Sequence, residues 1–208
     1  MMARGGSSRR WLDEHERDPW VQRARSEGYR GRAAYKLTEL DEREQLLAPG
    51  MTVVDLGAAP GAWSQYAAQR VGEAGLVVAL DCLAMDPIPG VRILEGDFTE
   101  EPTLEALLQV LDERPVDLVL SDMAPNMSGM KAVDQPRSME LVELAEDLAG
   151  RVLRPGGSLV TKAFQGEGFD PFMARLKTSY RRVKTRKPEA SRARSPEVYV
   201  LARDFRVV

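Results

Sequence analysis

The chain has 208 residues, 43% of them hydrophobic and 29% charged, with a formal net charge of −3; this is enough for one domain with a substantial core, and no apolar run approaches a membrane span. The opening MMARGGSSRR lacks the apolar stretch of a secretory signal, and one cysteine, Cys82, excludes an internal disulfide, so a cytoplasmic, reducing setting is expected. The one histidine, His15, has no Cys or His cluster around it, which argues against a zinc site.

Residues 1–10 are expected to be disordered, and residues 11–208 to form a single domain. Trp11 to Gly28 reads as a helix. Tyr29-Arg30-Gly31-Arg32-Ala33-Ala34-Tyr35-Lys36 leads into LTELDEREQLL, an amphipathic helix stopped by Pro49-Gly50. Thr52–Leu56 is a β-branched run ending in Asp55-Leu56-Gly57. After the turn Ala58-Ala59-Pro60-Gly61, Trp63 to Arg70 opens a helix. Three more apolar runs follow, each ending in an acid: 75–81 in Asp81, 90–97 in Asp97 and 116–122 in Asp122. Helices are predicted over 102–113, 135–152 and 169–180. A fifth strand covers 158–164, with Lys162 near its end, and two last strands cover 182–188 and 198–205. Alternating strands and helices predict a doubly wound, mostly parallel, Rossmann-like α/β sheet. The last two strands lie too close for a helical crossover and predict an antiparallel edge hairpin.

Net charge conceals a segregation. Residues 1–36 carry nine Lys/Arg against five Asp/Glu, residues 37–150 six against twenty-two, and residues 151–195 twelve against three. Two basic segments flank an acidic middle, and local potential is what steers a polyanion. A solvated surface would explain one such segment more easily than two.

Strand, glycine turn and helix over 52–70 form the entry to a nucleotide-type site. Gly57 and Gly61 allow a ligand close to the main chain. The Lys-Ser/Thr of a P-loop is missing, and Ala59 replaces the second glycine of a dinucleotide fingerprint. Asp55 beside the turn suits an ammonium or hydroxyl better than a pyrophosphate. That pattern favours S-adenosylmethionine over NAD, against the plainer reading of a tight turn with a packing Trp63. Asp81 falls where an acid would hold cofactor ribose hydroxyls. Asp55, Asp81, Asp97 and Asp122 are all expected near the ligand edge of the sheet, although a single acid there could be a helix cap. Lys36, Asp122, Lys162 and Glu197 come from distant segments, and spacing alone would read them as a salt-bridge network.

The blocks VVDLGAAPGAWSQYA, SDMAPNMSG and SRARSPEVYVLA, with RGRAAYKL and VTKAFQG, closely resemble the FtsJ-type bacterial large-subunit ribosomal RNA 2′-O-ribose methyltransferases. The resemblance runs from about Trp11 to the C-terminus. It implies a catalytic Lys36-Asp122-Lys162-Glu197 set with Lys162 as proton acceptor. It places the cofactor, S-adenosylmethionine, at Gly61, Trp63, Asp81, Asp97 and Asp122, beside the turn residues Asp55 and Gly57. Pro196 is a local variation before the glutamate and biases Ser195 towards an extended backbone. The implied partner is ribosomal RNA within the large subunit, at a uridine of the peptidyl-transferase region. No metal and no membrane are implied, and a monomer is expected.

In-line methyl transfer needs positioning, loss of a hydroxyl proton and stabilisation of the developing alkoxide. Lys162 is the candidate base; a lysine that kept its charge would instead orient the hydroxyl and stabilise the oxyanion. Arg30, Arg32, Arg181, Arg182, Lys184, Arg186, Lys187, Arg192 and Arg194 are candidates for phosphate contacts. The alternatives are a transfer-RNA or cap ribose methyltransferase, a small-molecule or protein methyltransferase, and a non-catalytic assembly factor. The middle reading leaves the basic segments without a role, and the intact tetrad argues against the last.

Overall fold

The computed structural model describes residues 16–192 and 195–206. The N-terminal segment expected to be disordered, Trp11, His15 and Arg194 lie outside the described residues. Helix α1 spans Pro19–Glu27. Asp18 caps it by accepting a hydrogen bond from the Trp20 amide (2.9 Å), and left-handed Gly28 ends it. Helix α2 spans Ala33–Glu44. It stops three residues before the expected Leu47, because Gln45 turns left-handed and the Asp41 carboxylate takes the Leu46 and Leu47 amides at 2.9 and 2.8 Å.

Strands β1 (Thr52–Leu56), β2 (Leu76–Asp81), β3 (Val91–Glu95), β4 (Val116–Ser121) and β5 (Leu153–Phe164) are parallel. β7 (Glu197–Phe205) runs antiparallel between β5 and β6 (Tyr180–Arg186), giving the order β3-β2-β1-β4-β5-β7-β6. The predicted edge hairpin is therefore present, with β6 outermost. β5 begins five residues earlier than Ser158. Its first residue pairs with Val116 before a register shift that absorbs Arg154-Pro155-Gly156-Gly157. The intervening helices are α3 (Ala62–Val71), α4 (Glu101–Leu111), α5 (Lys131–Val152) and α6 (Phe169–Ser179). α5 starts four residues before Gln135, so Pro136 lies inside it. In sequence a proline there reads as a first-turn residue.

Two apolar layers sandwich the sheet. One joins Leu56, Leu80 and Leu159 to Leu107 of α4, Leu148 of α5 and Phe172 of α6. The other joins Leu120, Val160 and Leu201 to Leu37 and Leu40 of α2 and Trp63 and Tyr66 of α3. β1 is buried at every residue, as a strand covered on both faces must be. Among the described residues no helix is long and apolar enough to cross a membrane.

Candidate active site

The strand order reverses between β1 and β4, and in open α/β sheets the crevice beyond the carboxyl ends of such strands receives ligands. Asp55 lies one residue inside the end of β1, Asp81 ends β2, Asp97 lies two residues past β3, and Asp122 immediately follows β4. All four predicted carboxylates thus share one edge.

Asp55 is buried at 1% exposure and accepts a hydrogen bond from the Ser64 hydroxyl at 2.6 Å. Burial raises its carboxyl from 3.8 to about 7, against the Ser64 bond and with help from the Asp122 and Asp81 charges. Asp81 accepts the Ala59 amide on one oxygen (2.9 Å) and the Leu83 amide on the other (2.8 Å). Asp97 accepts the Thr99 amide (2.9 Å) and hydroxyl (2.7 Å), which hold its carboxyl below the ordinary range.

Gly57 and Gly61 adopt φ of 65° and 104°. What approaches them is protein: a Cβ on Gly57 would lie 2.3 Å from Met123 Cγ, and one on Gly61 2.4 Å from Ile88 Cδ1. The glycines therefore let the loops after β4 and β2 close against the turn. Trp63 is buried, its indole N–H donates to the Ala33 carbonyl at 2.7 Å, and its ring lies 5.6 Å from that of Tyr199. Its side chain serves the packing beneath the site. What it offers a ligand is its amide in the first turn of α3, where backbone N–H groups lack helical partners.

The second half of the edge brings the four remaining candidates together. β4 and β5 are neighbours, and Lys162 pairs in register with Tyr199 of β7, two residues after Glu197. Lys162 Nζ, in a side chain only 8% exposed, lies 3.0 Å from Asp122 Oδ1 and donates to the Asp122 carbonyl at 2.6 Å. Lys36 projects from α2 and pairs with Glu197 Oε1 at 2.9 Å. Burial would raise the Glu197 carboxyl, but the Lys36 charge and contact, together with Ser191 and Lys162, outweigh it and hold the group below the usual carboxylate range.

Tyr199, which sequence reasoning missed, joins the two pairs. Its hydroxyl accepts from Lys36 Nζ at 3.0 Å and donates to Asp122 Oδ1 at 2.6 Å. Burial, then the Asp122 and Glu197 charges, push the phenol well above its ordinary value, so it stays a donor. One signal pointed to it: residues two apart on a strand share a face, and Tyr199 follows Glu197 at that spacing.

The basic candidates divide. Arg30 donates to the carbonyls of Pro60 (3.1 Å), Asp86 and Pro87 (both 2.7 Å), tying the lead-in to the turn. Arg32 contacts Asp18 and the Ala190 carbonyl. Carbonyls fix the Arg30 guanidinium without neutralising it, Asp18 answers the Arg32 charge, and Arg181, Arg182 and Arg192 are exposed.

An α/β sheet of this order, with a carboxylate-lined turn at its switch point, defines the Rossmann-like class of folds. Residues 29–205 match the FtsJ-like methyltransferase family, and the chain belongs to it. It is similar to proteins named ribosomal RNA large subunit methyltransferase E. That of Alkalilimnicola ehrlichii is 62% identical, with 95% of each chain covered, and that of Pseudomonas aeruginosa 56% identical, with 99% of each covered. Among solved structures, a Plasmodium falciparum protein described as a ribosomal RNA methyltransferase superposes with a TM-score of 0.78 at 29% identity, covering 85% of this chain and 98% of its own.

Proposed function

We propose that this methyltransferase acts, as one domain, on the 2′-hydroxyl of a ribose in large-subunit ribosomal RNA, with S-adenosylmethionine as methyl donor. The target is a uridine of the peptidyl-transferase region within the assembled subunit. The observation that carries the reading is the double hold of Asp122 on Lys162, wired through Tyr199 to Lys36 and Glu197. The relatives' names support the substrate class.

The donor set fits S-adenosylmethionine by charge. The Asp81 and Asp97 carboxylates keep acceptor capacity beyond their backbone bonds, which suits ribose hydroxyls and the adenine amino group. Burial, with the Asp122 and Asp81 charges adding to it, raises Asp55, and the gathering of acids there favours a cationic ligand over a phosphate. When bound, this cofactor supplies an electrophilic methyl group on sulfur.

The protein's part is then positioning and proton transfer. A neutral lysine amine has two N–H bonds and one lone pair. The Asp122 carbonyl accepts one of these N–H bonds and its Oδ1 lies 3.0 Å from Nζ, a hold that leaves the lone pair for the incoming 2′-hydroxyl. The hydroxyl proton passes to Lys162 Nζ as the oxygen takes the methyl group. Lys36 donates to Tyr199 and pairs with the Glu197 carboxylate, and an ammonium with three donors keeps capacity for the ribose. Only RNA offers the acceptor oxygen.

The test is transfer of labelled methyl to large subunits, naked ribosomal RNA and transfer RNA from unmodified cells, followed by digestion to nucleosides. One labelled 2′-O-methyl ribose in large-subunit RNA, lost in Lys162→Ala, is expected. Label in transfer RNA would move the substrate, and no label in any RNA would overturn the reading.

A further inference from the structure

Residues 175–187 carry seven lysines and arginines and no acid. The fold lays this run over the end of α6 and along β6, the outermost strand. Arg182, Lys184 and Arg186 alternate on β6, so they share one face at intervals of about 6.6 Å. Arg186 stands opposite Tyr199, and Arg182 opposite Arg203. The row therefore starts beside the candidate active site and ends about 13 Å further along the sheet edge. At its far end Lys177, Arg181, Arg182, Val183, Lys184 and Arg203 line an open cleft of about 410 Å³.

Acids answer this charge only in part. Arg175 pairs with Glu143 (2.9 Å) and Glu146 (3.0 Å), Glu44 pairs with Lys184 and with Arg186 (2.7 Å), and Asp204 pairs with Arg182 (2.9 Å). Arg203 donates to the Glu44 carbonyl (2.7 Å), and Arg206 to the carbonyls of Lys177 (3.0 Å) and Tyr180 (3.2 Å). Those bonds fix the guanidiniums without neutralising them. The cleft is lined by cations and one valine, with no aromatic ring on which a base could stack. It is built to meet a backbone.

We propose that this stripe and cleft bind the phosphates of a second, double-stranded segment of the RNA substrate, separate from the strand whose ribose enters the site. The inference rests on the reading of the substrate as RNA. Contacts of this kind position a large folded RNA without reading its sequence, and they weaken steeply with salt. They would allow a single small domain to recognise a structured target. The competing role for these cations is to keep the exposed edge strand from pairing with another chain.

The test compares the full chain with Lys177→Gln/Arg181→Gln/Arg182→Gln, using fluorescence anisotropy on a 20-base-pair RNA duplex of arbitrary sequence between 50 and 200 mM salt. The expected result is a Kd raised about tenfold and a log–log salt slope reduced by about 2. In methyl transfer to large subunits, KM should rise about tenfold with kcat within about twofold, since the lost contacts are uniform binding. Arg92→Gln/Arg114→Gln, beside β3 at the opposite edge of the sheet, should leave every readout unchanged, and Arg181→Lys/Arg182→Lys should retain duplex binding. Unchanged duplex affinity and salt slope in the triple variant would overturn the proposal, as would its self-association with duplex binding intact. Duplex binding is read without catalysis. Failure of wild type to methylate any RNA would therefore remove the proposed function and still leave the stripe decided by its own measurement.

Discussion

The carboxyl edge of the sheet handles charge in two different ways. Over β1, β2 and β3, Asp55, Asp81 and Asp97 are held by hydroxyls and backbone amides, and the donors on them are neutral. Over β4, β5 and β7, two acids and two lysines interlock through contacts of 2.6–3.0 Å. The first half carries a demand for positive charge that its own side chains do not meet. The second finds its partners within itself, so its geometry does not wait for a ligand. The difference separates a region shaped to bind from one shaped to react, and pre-set dipoles of the second kind cost no reorganisation during the chemical step.

The largest expected effect is on the reacting half. Lys162→Ala should lower kcat about 10³-fold, within the range for a lost general base. Cofactor affinity, measured by calorimetry, should stay within about twofold, because β1–β3 are untouched. Lys162→Arg should fail similarly, since arginine keeps its proton and cannot accept another. An arginine variant within tenfold of wild type would remove the base role. Next comes Lys36→Met. It strands the largely buried Glu197 carboxylate and should cost about 3 kcal/mol in urea unfolding at pH 7. Adding Glu197→Gln should recover part of that loss. The Glu197 carboxyl is depressed in the folded state, so its contribution is present above the ordinary glutamate pKa and is lost as pH falls through the lower folded value.

The binding half should respond in the opposite sense. Asp55 titrates higher in the folded protein than in the unfolded chain. Its contribution to stability is fully present below pH about 4 and disappears as pH rises through about 7. Asp55→Asn should therefore stabilise the free protein by about 2 kcal/mol at pH 8, some 5 °C in Tm, and by little at pH 4. Asn can still accept the Ser64 hydroxyl. The same variant should bind S-adenosylmethionine more weakly, which separates stability from ligand demand. A Tm gain that is equal at both pH values would contradict the charge argument.

The sheet was readable because β1, β2 and β4 are short apolar runs with punctuation at both ends, as central parallel strands demand. The four edge aspartates were readable for the same reason, since each closes such a run. Boundaries were less so: an interior proline hid the start of α5, and a side-chain cap from Asp41, inside α2, shortened its end. The internal partners of the arginines were the least readable. Arg30 and Arg32 look like free cations in sequence, but their partners are backbone carbonyls and an acid brought in from 14 to 158 residues away. Nothing local marks such a tie. Tyr199 was hidden because a tyrosine in an apolar strand reads as core, and it is core, with its hydroxyl alone at the site.

That double nature makes Tyr199→Phe the mildest and most discriminating change. The ring would keep its packing on Trp63 and its place 5.5 Å from the Lys36 ammonium. Only the oxygen is lost, and with it the acceptor for Lys36 and a donor to Asp122. Lys162 would still hold Asp122, so the reacting pair survives while its tether to Lys36 and Glu197 is cut. A fall in kcat of about tenfold is expected, equal to about 1.4 kcal/mol of lost positioning. Stability should drop by about 1 kcal/mol, because two buried polar groups lose a partner. If the hydroxyl works by joining the two ion pairs, Tyr199→Phe should add little to the kcat loss already caused by Lys36→Met, since both remove one contact. Independent groups would multiply their effects instead. A multiplicative result would mean that Lys36 and Tyr199 act on the ribose separately, and that the two pairs share a site without being coupled.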